Sequence, residues 1–501
     1  MRKHILPAIA TALLASVASA GNTTVSTFSA LAYALTSAAD GDTITLASGT
    51  YSVQYQIDVT ANNVTLRAEN ANDKPVLDAA SAYRIMKVTG TGFAARGIVF
   101  KGGMTAGGNG GAVKVEGQGA TSTLKFVDCD FEGCQAVYGG AIDAVNESYD
   151  SFAERGQCGL VSGCTFKDCV ATKSDMWCGG GAINGALWIE DSTFDGCRSN
   201  DARQGHAAIA VSGCTTITNC VFVNHSSTLK GLVGTGRNAF NNVYPNGKAR
   251  LVDCLVADST FVGSSDALFD SKVLLDRCVI SNTASTVANS IPALYNSPSS
   301  NASEARMTSC LFVDNQCPFK MEAMPPLLNC TFVRNVGGLA CNYVESLKFA
   351  LTNCVFWANV EKTDWPYGAS YKGVPGFYWH PSTPLAGLIQ IGNTVIEGGT
   401  AKEAVAAVLA ADLSGNSTAL TAAAAADPKG AGFKDAANGD WTLRRSSVLV
   451  DAGVRFDGME FALDLAGKPR CRKMGHSDPN ALPDIGCYEF YAVDGFAIRL
   501  R

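Results

Sequence analysis

The feature that most constrains this chain is a short motif that returns nine times between residues 127 and 359. An apolar residue and a small polar one precede Cys, then any residue, Phe, two more residues, and Cys or Asn. The fullest copy is Val127-Asp128-Cys129-Asp130-Phe131-Glu132-Gly133-Cys134. Cys164-Thr165-Phe166 ends in Cys169, and Ser192-Thr193-Phe194 ends in Cys197. Later copies begin at Cys220, Cys254, Cys278, Cys310, Cys330 and Cys354, the last three ending in Asn315, Asn335 and Asn359. Within each copy Cys and Phe lie two residues apart and share a face, as strand geometry requires. The copies are spaced 20 to 35 residues apart, too irregular for a helical repeat and suited to short strands joined by loops of variable length.

A second pattern lies between the early copies: Gly110-Gly111-Ala112-Val113, Gly139-Gly140-Ala141-Ile142, Gly180-Gly181-Ala182-Ile183 and a decayed His206-Ala207-Ala208-Ile209. Paired glycines fit a tight corner, and the β-branched residue after them starts a strand. Strands, tight corners and variable loops, one set per coil, predict an all-β chain: a single-stranded right-handed parallel β-helix. Equivalent residues then stack into ladders at the inter-strand spacing. Thr27 to Ala39 is helix-compatible and predicts a cap on the open N-terminal end.

Composition narrows the classes. The formal net charge is −6, which disfavours a nucleic-acid partner. Residues 1–20 read as a signal peptide: Arg2 and Lys3, an apolar stretch from Ile5 to Val17, and a small-residue cleavage site, Ala18-Ser19-Ala20. This predicts a bacterial protein that is secreted or held at the cell surface, with no membrane span, and monomeric. Residues 21–40 form the N-terminal cap, 41–360 the β-helix and 361–426 an aromatic and Ala-rich insertion. Residues 427–501 form a terminal coil and C-terminal segment.

Eighteen cysteines in an exported chain raise the question of disulfides. Side chains stacked in one column point alike, which works against the disulfide dihedral. The column from Cys129 to Cys354 is therefore expected as buried thiols, with a Cys471–Cys487 bridge as a possible staple outside it. There is no Cys-x-x-Cys pair and no histidine ligand spacing, so no metal site is expected.

The residues after each Gly-Gly-Ala-Ile corner form a polar column, Lys114, Asp143 and Asn184, with Glu116 two residues beyond Lys114. Such a row is the bland solvated face of a solenoid, or it is a site. Lys114, Glu116 and Asp143 are the candidate catalytic residues: a base and a cation would serve a lyase of acidic polysaccharide, with Ca²⁺ bridging acidic groups, and the Glu116/Asp143 carboxyl pair would serve a glycoside hydrolase. No other cofactor is expected. The candidate carbohydrate-binding residues are Asn184 and the rings of Trp365, Tyr367, Tyr371, Tyr378 and Trp379, in a stretch that breaks the repeat. Such rings either offer faces to sugars or pack on the solenoid flank.

Three groups of motifs also carry family resemblances. Gly41-Asp42-Thr43-Ile44 and Gly49-Thr50-Tyr51 resemble the entry of pectate-lyase-like β-helix proteins. The Gly-Gly-Ala-Ile and Phe-x-x-Asn motifs resemble the repeats of polymorphic outer-membrane proteins. Ala426-Asp427-Pro428, Gly439 to Leu443, Asp451-Ala452-Gly453, Asp464, Arg470, Asp484-Ile485-Gly486 and Glu489 resemble the end of choice-of-anchor Q proteins. Those resemblances imply a bacterial surface or secreted β-helix protein with no activity established for the class, and no sorting tail is recognisable after Glu489. The expected function is structural, adhesive or carbohydrate-binding, toward a polysaccharide or a host or cell-surface glycan. The alternative is a polysaccharide lyase or glycoside hydrolase.

Overall fold

In the computed structural model the described residues are 20–145, 157–172, 179–200, 207–211, 214–227, 233–235, 248–261, 267–270, 273–285, 293–296, 306–316, 318–321, 326–341, 349–360, 372–374, 376–379, 389–397, 412, 415–428, 430–456, 458–459, 462–473, 476–477 and 481–491. Residues 1–19, within the stretch read as a signal peptide, lie outside them.

Three long sheets run between residues 22 and 396, with 14, 13 and 13 strands, here sheets 1, 2 and 3. One coil shows the plan. Lys125–Val127 lies in sheet 1, Asp130–Glu132 in sheet 2 and Ile142–Ala144 in sheet 3. The next coil returns to sheet 1 at Gly159–Ser162, parallel and in register with Lys125–Val127. Parallel strands linked through successive crossovers take the right-handed path, and the chain is a right-handed parallel β-helix.

The corners explain the small polar residue before each Cys. Asp128, Asp191, Asn219, Asp253, Arg277, Ser309, Asn329 and Asn353 all have positive φ, between 51° and 55°. A second left-handed corner follows each sheet 2 strand, at Asp168, Asn224, Asp258, Asn282, Asp314 and Arg334. This conformation costs an L-residue about 1–2 kcal/mol, least for Asn and Asp. Stacking offsets the cost through side-chain ladders: Asn219 Nδ2 donates to Asp191 Oδ1 at 2.7 Å and Asn282 Nδ2 to Asp258 Oδ1 at 2.6 Å. Arg277 and Arg334 bind Asp253 and Asp314 in the same way, each at 2.7 Å.

The interior holds the predicted ladders. The rings of Phe131, Phe166, Phe194 and Phe222 stack at 4.8 Å with planes within 8° of parallel. The cysteines, however, form two columns rather than one. Cys129, Cys164, Cys220, Cys254, Cys278, Cys310, Cys330 and Cys354 occupy the first, with Ser192 in place of one thiol. Cys134, Cys169 and Cys197 begin the second, which continues as His225, Ser259, Thr283, Asn315, Asn335 and Asn359. All these cysteines are buried free thiols. What unites the second column is its task, the binding of main-chain groups turned inward at the corner. Cys169 Sγ meets the Phe131 carbonyl at 3.5 Å, and Asn335 Nδ2 donates to the Phe312 carbonyl at 3.0 Å. The Cys471–Cys487 bridge does not form: Cys487 is a free thiol, and the two residues belong to separate apolar clusters.

Helix α1 (Phe28–Thr36) caps the N-terminal end, its N-cap Thr27 accepting from the Ala30 amide at 3.3 Å. Strand Asn22–Val25 before it already belongs to sheet 1. Further along the chain, Gly376–Trp379, Ile389–Gly392 and Val395–Ile396 continue the three sheets into the stretch assigned to an insertion, and a helix follows at Ser417–Ala426.

The C-terminal segment folds back along the outer face of sheet 2. Leu311, Val313, Val333 and Val355 point outward from that sheet into a second core with Phe433, Trp441, Leu443, Leu449 and Ile485. Of the residues that resemble the choice-of-anchor Q ending, Asp464, Arg470, Asp484, Gly486 and Glu489 meet in one buried node. Arg470 binds Glu489 Oε1 at 2.9 Å, the Gly486 carbonyl at 3.0 Å and Ser309 Oγ of the solenoid at 3.1 Å. Asp464 accepts from the amides of Lys468 and Glu489, and Asp484 from those of Asp451 and Phe490. In this fold those residues clamp the C-terminal segment, a strap over sheet 2, to the β-helix.

Candidate functional site

Sheet 3 brings Lys114, Asp143 and Asn184 into register as adjacent rungs. It also extends the row in a direction the glycine motif does not reveal, through Lys87 and Asp58. Each residue sits between two apolar neighbours, as in Ile57-Asp58-Val59 and Met86-Lys87-Val88, so the apolar pair faces the core and the polar residue turns out. That alternation was the available signal, but these early coils lack the Gly-Gly-Ala corner.

Glu116 is shared by two cations, at 2.7 Å from Lys114 Nζ and 2.8 Å from Lys87 Nζ. Hydrogen bonds from Lys114 and then Lys87 hold its carboxyl down at about 2. Asp143 has the opposite environment. It is only 4% exposed, and its Oδ1 accepts from Asn184 Nδ2 at 2.6 Å. Burial raises its pKa to about 6, against the hydrogen bonds of Asn184 and Asn109 and the charges of Lys114 and Arg84. The polar column expected as an open face is therefore open at Lys114 and Glu116 and closed at Asp143 and Asn184, the latter 1% exposed. Asn184 Oδ1 is buried with no hydrogen-bond partner among the described residues.

Arg84, absent from the sequence-based candidates, braces the row. Its guanidinium donates to Gln56 Oε1 at 2.6 Å, to the Gly110 carbonyl at 3.0 Å and to the Asn109 carbonyl. It thus links three successive coils just ahead of the sheet 3 strands. Tyr83 precedes it in sequence and Tyr55 precedes Gln56, at 44% and 50% exposure, among the few large apolar side chains of the described residues left open to solvent.

Of the aromatic candidates, Trp365, Tyr367 and Tyr371 lie outside the described residues. Tyr378 and Trp379 belong to a sheet 3 strand whose backbone pairs with Ala340 and Cys341 on one side and with Gly373 and Lys372 on the other. Among the described residues no group of three or more His, Cys, Asp or Glu side chains is placed to hold a metal ion, and no helix is long and apolar enough to cross a membrane.

The fold and this row define a parallel β-helix with a polar, partly closed strip on one sheet. No family model matches the chain, and no curated protein is similar to it. Among solved structures it is similar to a mannuronic acid specific polysaccharide family 6 lyase from human gut microbiota, at 14% identity and a TM-score of 0.35, over 72% of this chain and 91% of that one. An alginate lyase of family PL6 in complex with a trisaccharide gives 12% and 0.37, over 73% and 92%. The pectate lyase Pel9A gives 12% and 0.34, over 94% and 97%.

Proposed function

We propose that this protein is exported and binds a polysaccharide along the outer face of sheet 3, in an adhesive or structural role at or beyond the cell surface. The observation that carries the reading is the in-register row Asp58, Lys87, Lys114, Asp143 and Asn184, with Glu116 shared between two ammonium groups. Two cations on one carboxylate leave one ammonium able to turn to a ligand acid while the other keeps Glu116. The exposed rings of Tyr55 and Tyr83 supply amphipathic faces of the kind that sugars stack on. An extended glycan running parallel to the solenoid axis would meet the open rungs Asp58, Lys87 and Lys114, one per coil.

Affinity electrophoresis in gels containing polygalacturonate, alginate or a neutral glucan tests this. Retardation by at least one acidic polymer is expected, reduced at least tenfold in apparent affinity for Lys87→Ala/Lys114→Ala. Equal mobility in all gels would refute the reading.

One observation favours a second reading, a polysaccharide lyase or glycoside hydrolase. Two carboxyls on neighbouring coils, Asp143 in register with Lys114 and Glu116 ion-paired to it, have pKa values driven in opposite directions, Glu116 to about 2 and Asp143 to about 6. Divergent environments of that kind separate an acid from a base. That reading requires Asp143 to become accessible when substrate binds. Release of unsaturated or reducing-end products from acidic polysaccharides, abolished in Asp143→Asn, would establish it, and no release across the panel would exclude it.

A further inference from the structure

We propose a second carbohydrate site, in a cleft on the C-terminal strap, that takes a sugar acid of one or two residues. The cleft has a volume of about 510 Å³ and is walled by Lys434, Arg444, Arg445, Lys468, Tyr488 and Tyr491. That volume falls within the roughly 300–1,000 Å³ of small-ligand pockets. It lies on the strap packed against sheet 2, and nothing in its argument depends on the sheet 3 row.

Charge is the first argument. Four cationic side chains face the cleft, and the acids at its floor, Asp464 and Glu489, are already engaged. Asp464 accepts two backbone amides, at 2.7 Å and 3.0 Å. Glu489 Oε1 accepts Arg470 at 2.9 Å and the Asp484 amide at 3.0 Å. The rim cations are held less closely. Lys434 Nζ is 3.8 Å from Asp440, and Lys468 Nζ rests 4.2 Å above the Tyr491 ring centroid. Arg444 is the exception, paired with Asp427 by one terminal nitrogen.

Unmet hydrogen bonding is the second argument. Arg444 Nε and Glu489 Oε2 are both buried without a partner among the described residues, and both residues line this cleft. Glu489 is a fully buried side chain. Left unmet, such buried groups cost about 1–3 kcal/mol each, and they meet an occupant once their side chains turn into the cleft. A carboxylate suits the arginines and lysines, a hydroxyl suits Glu489, and a pyranose face suits the tyrosine rings. A sugar acid combines the three, whereas a simple anion answers only the first.

Isothermal titration calorimetry of the full chain with digalacturonate, neutral galactobiose and inorganic phosphate tests the proposal. Saturable digalacturonate binding is expected, at least tenfold tighter than either control. Arg445→Ala/Lys468→Ala, both at exposed positions, should weaken it at least tenfold with an unchanged melting temperature, while Lys87→Ala/Lys114→Ala leaves this binding intact. Absence of saturable binding, equal binding of galactobiose, or phosphate binding as tight as digalacturonate would overturn it. Loss on the Lys87/Lys114 variant alone would assign the binding to sheet 3 and overturn it equally.

Discussion

Replacing Asn335 with Ala should destabilise the solenoid far more than an ordinary polar substitution. Asn335 is fully buried, and its side chain makes four hydrogen bonds. Nδ2 donates to the Phe312 carbonyl and to Asn359 Oδ1, both at 3.0 Å. Oδ1 accepts from the Asn315 amide at 3.1 Å and from Asn315 Nδ2 at 2.8 Å. Alanine keeps none of these and strands groups on both neighbouring coils. At about 1 kcal/mol net per bond, with stranded buried groups costing about 1–3 kcal/mol, the loss comes to about 4 kcal/mol. Threonine should cost less, because Thr283 fills the same column and accommodates Asn315 through its hydroxyl at 2.7 Å. Because each coil contacts mainly its neighbours, the damage should appear first as faster amide exchange at 311–316 and 331–341. Native-state hydrogen exchange and urea unfolding of wild type, Asn335→Ala and Asn335→Thr measure this. A loss below about 1 kcal/mol for alanine, or threonine no better than alanine, would refute the ladder argument.

Thiol titration in denaturant without reductant should find at least the eleven column cysteines free; more than three disulfides in the chain would contradict the stacked-thiol interior. His225 is buried with its pKa lowered to about 4, chiefly by desolvation. The unfolded chain therefore binds a proton that the folded chain refuses, so stability should fall as pH drops from about 6.5 to 4, and His225→Ser should flatten that limb of a pH–melting curve. The strap node acts in the opposite sense. Burial raises Asp484 to about 7 and Glu489 to about 8, where a single Arg470 serves three buried carboxyls. The folded state keeps a proton that the unfolded state releases near pH 4, so the node's stabilisation should decline as pH rises from about 4.5 to 8. Glu489→Gln should weaken that dependence in melting curves taken across the range, and an unchanged slope would refute the assignment.

The ladders were legible because stacking at a fixed spacing rewards the same residue in every coil, which leaves Cys and Phe repeating in the sequence. The second column was hidden for a related reason. Cys197, His225, Ser259, Thr283 and Asn315 share a position and a task but no chemical type. Arg84 and Lys87 escaped because the glycine corner that announces Lys114 and Asp143 is missing from their coil. The closure of Asp143 and Asn184 depends on what covers sheet 3, which strand alternation does not encode. The strap left a trace that strand alternation alone cannot interpret: Leu311-Phe312-Val313 is apolar on both faces, which signals a cover on the outside of sheet 2 without naming it. The node residues Asp464, Arg470, Asp484 and Glu489 stood out as a motif, but only the three-dimensional arrangement shows that they clamp the strap.

The most direct test of the sheet 3 account is a crystal of the full chain soaked with tetragalacturonate. The account predicts sugar density running parallel to the solenoid axis along Asp58, Lys87 and Lys114, with a ligand carboxylate within hydrogen-bond reach of Lys87 or Lys114 Nζ. An unaltered Lys87–Glu116–Lys114 cluster with no sugar on sheet 3, at ligand concentrations that retard the protein in polygalacturonate gels, would contradict it.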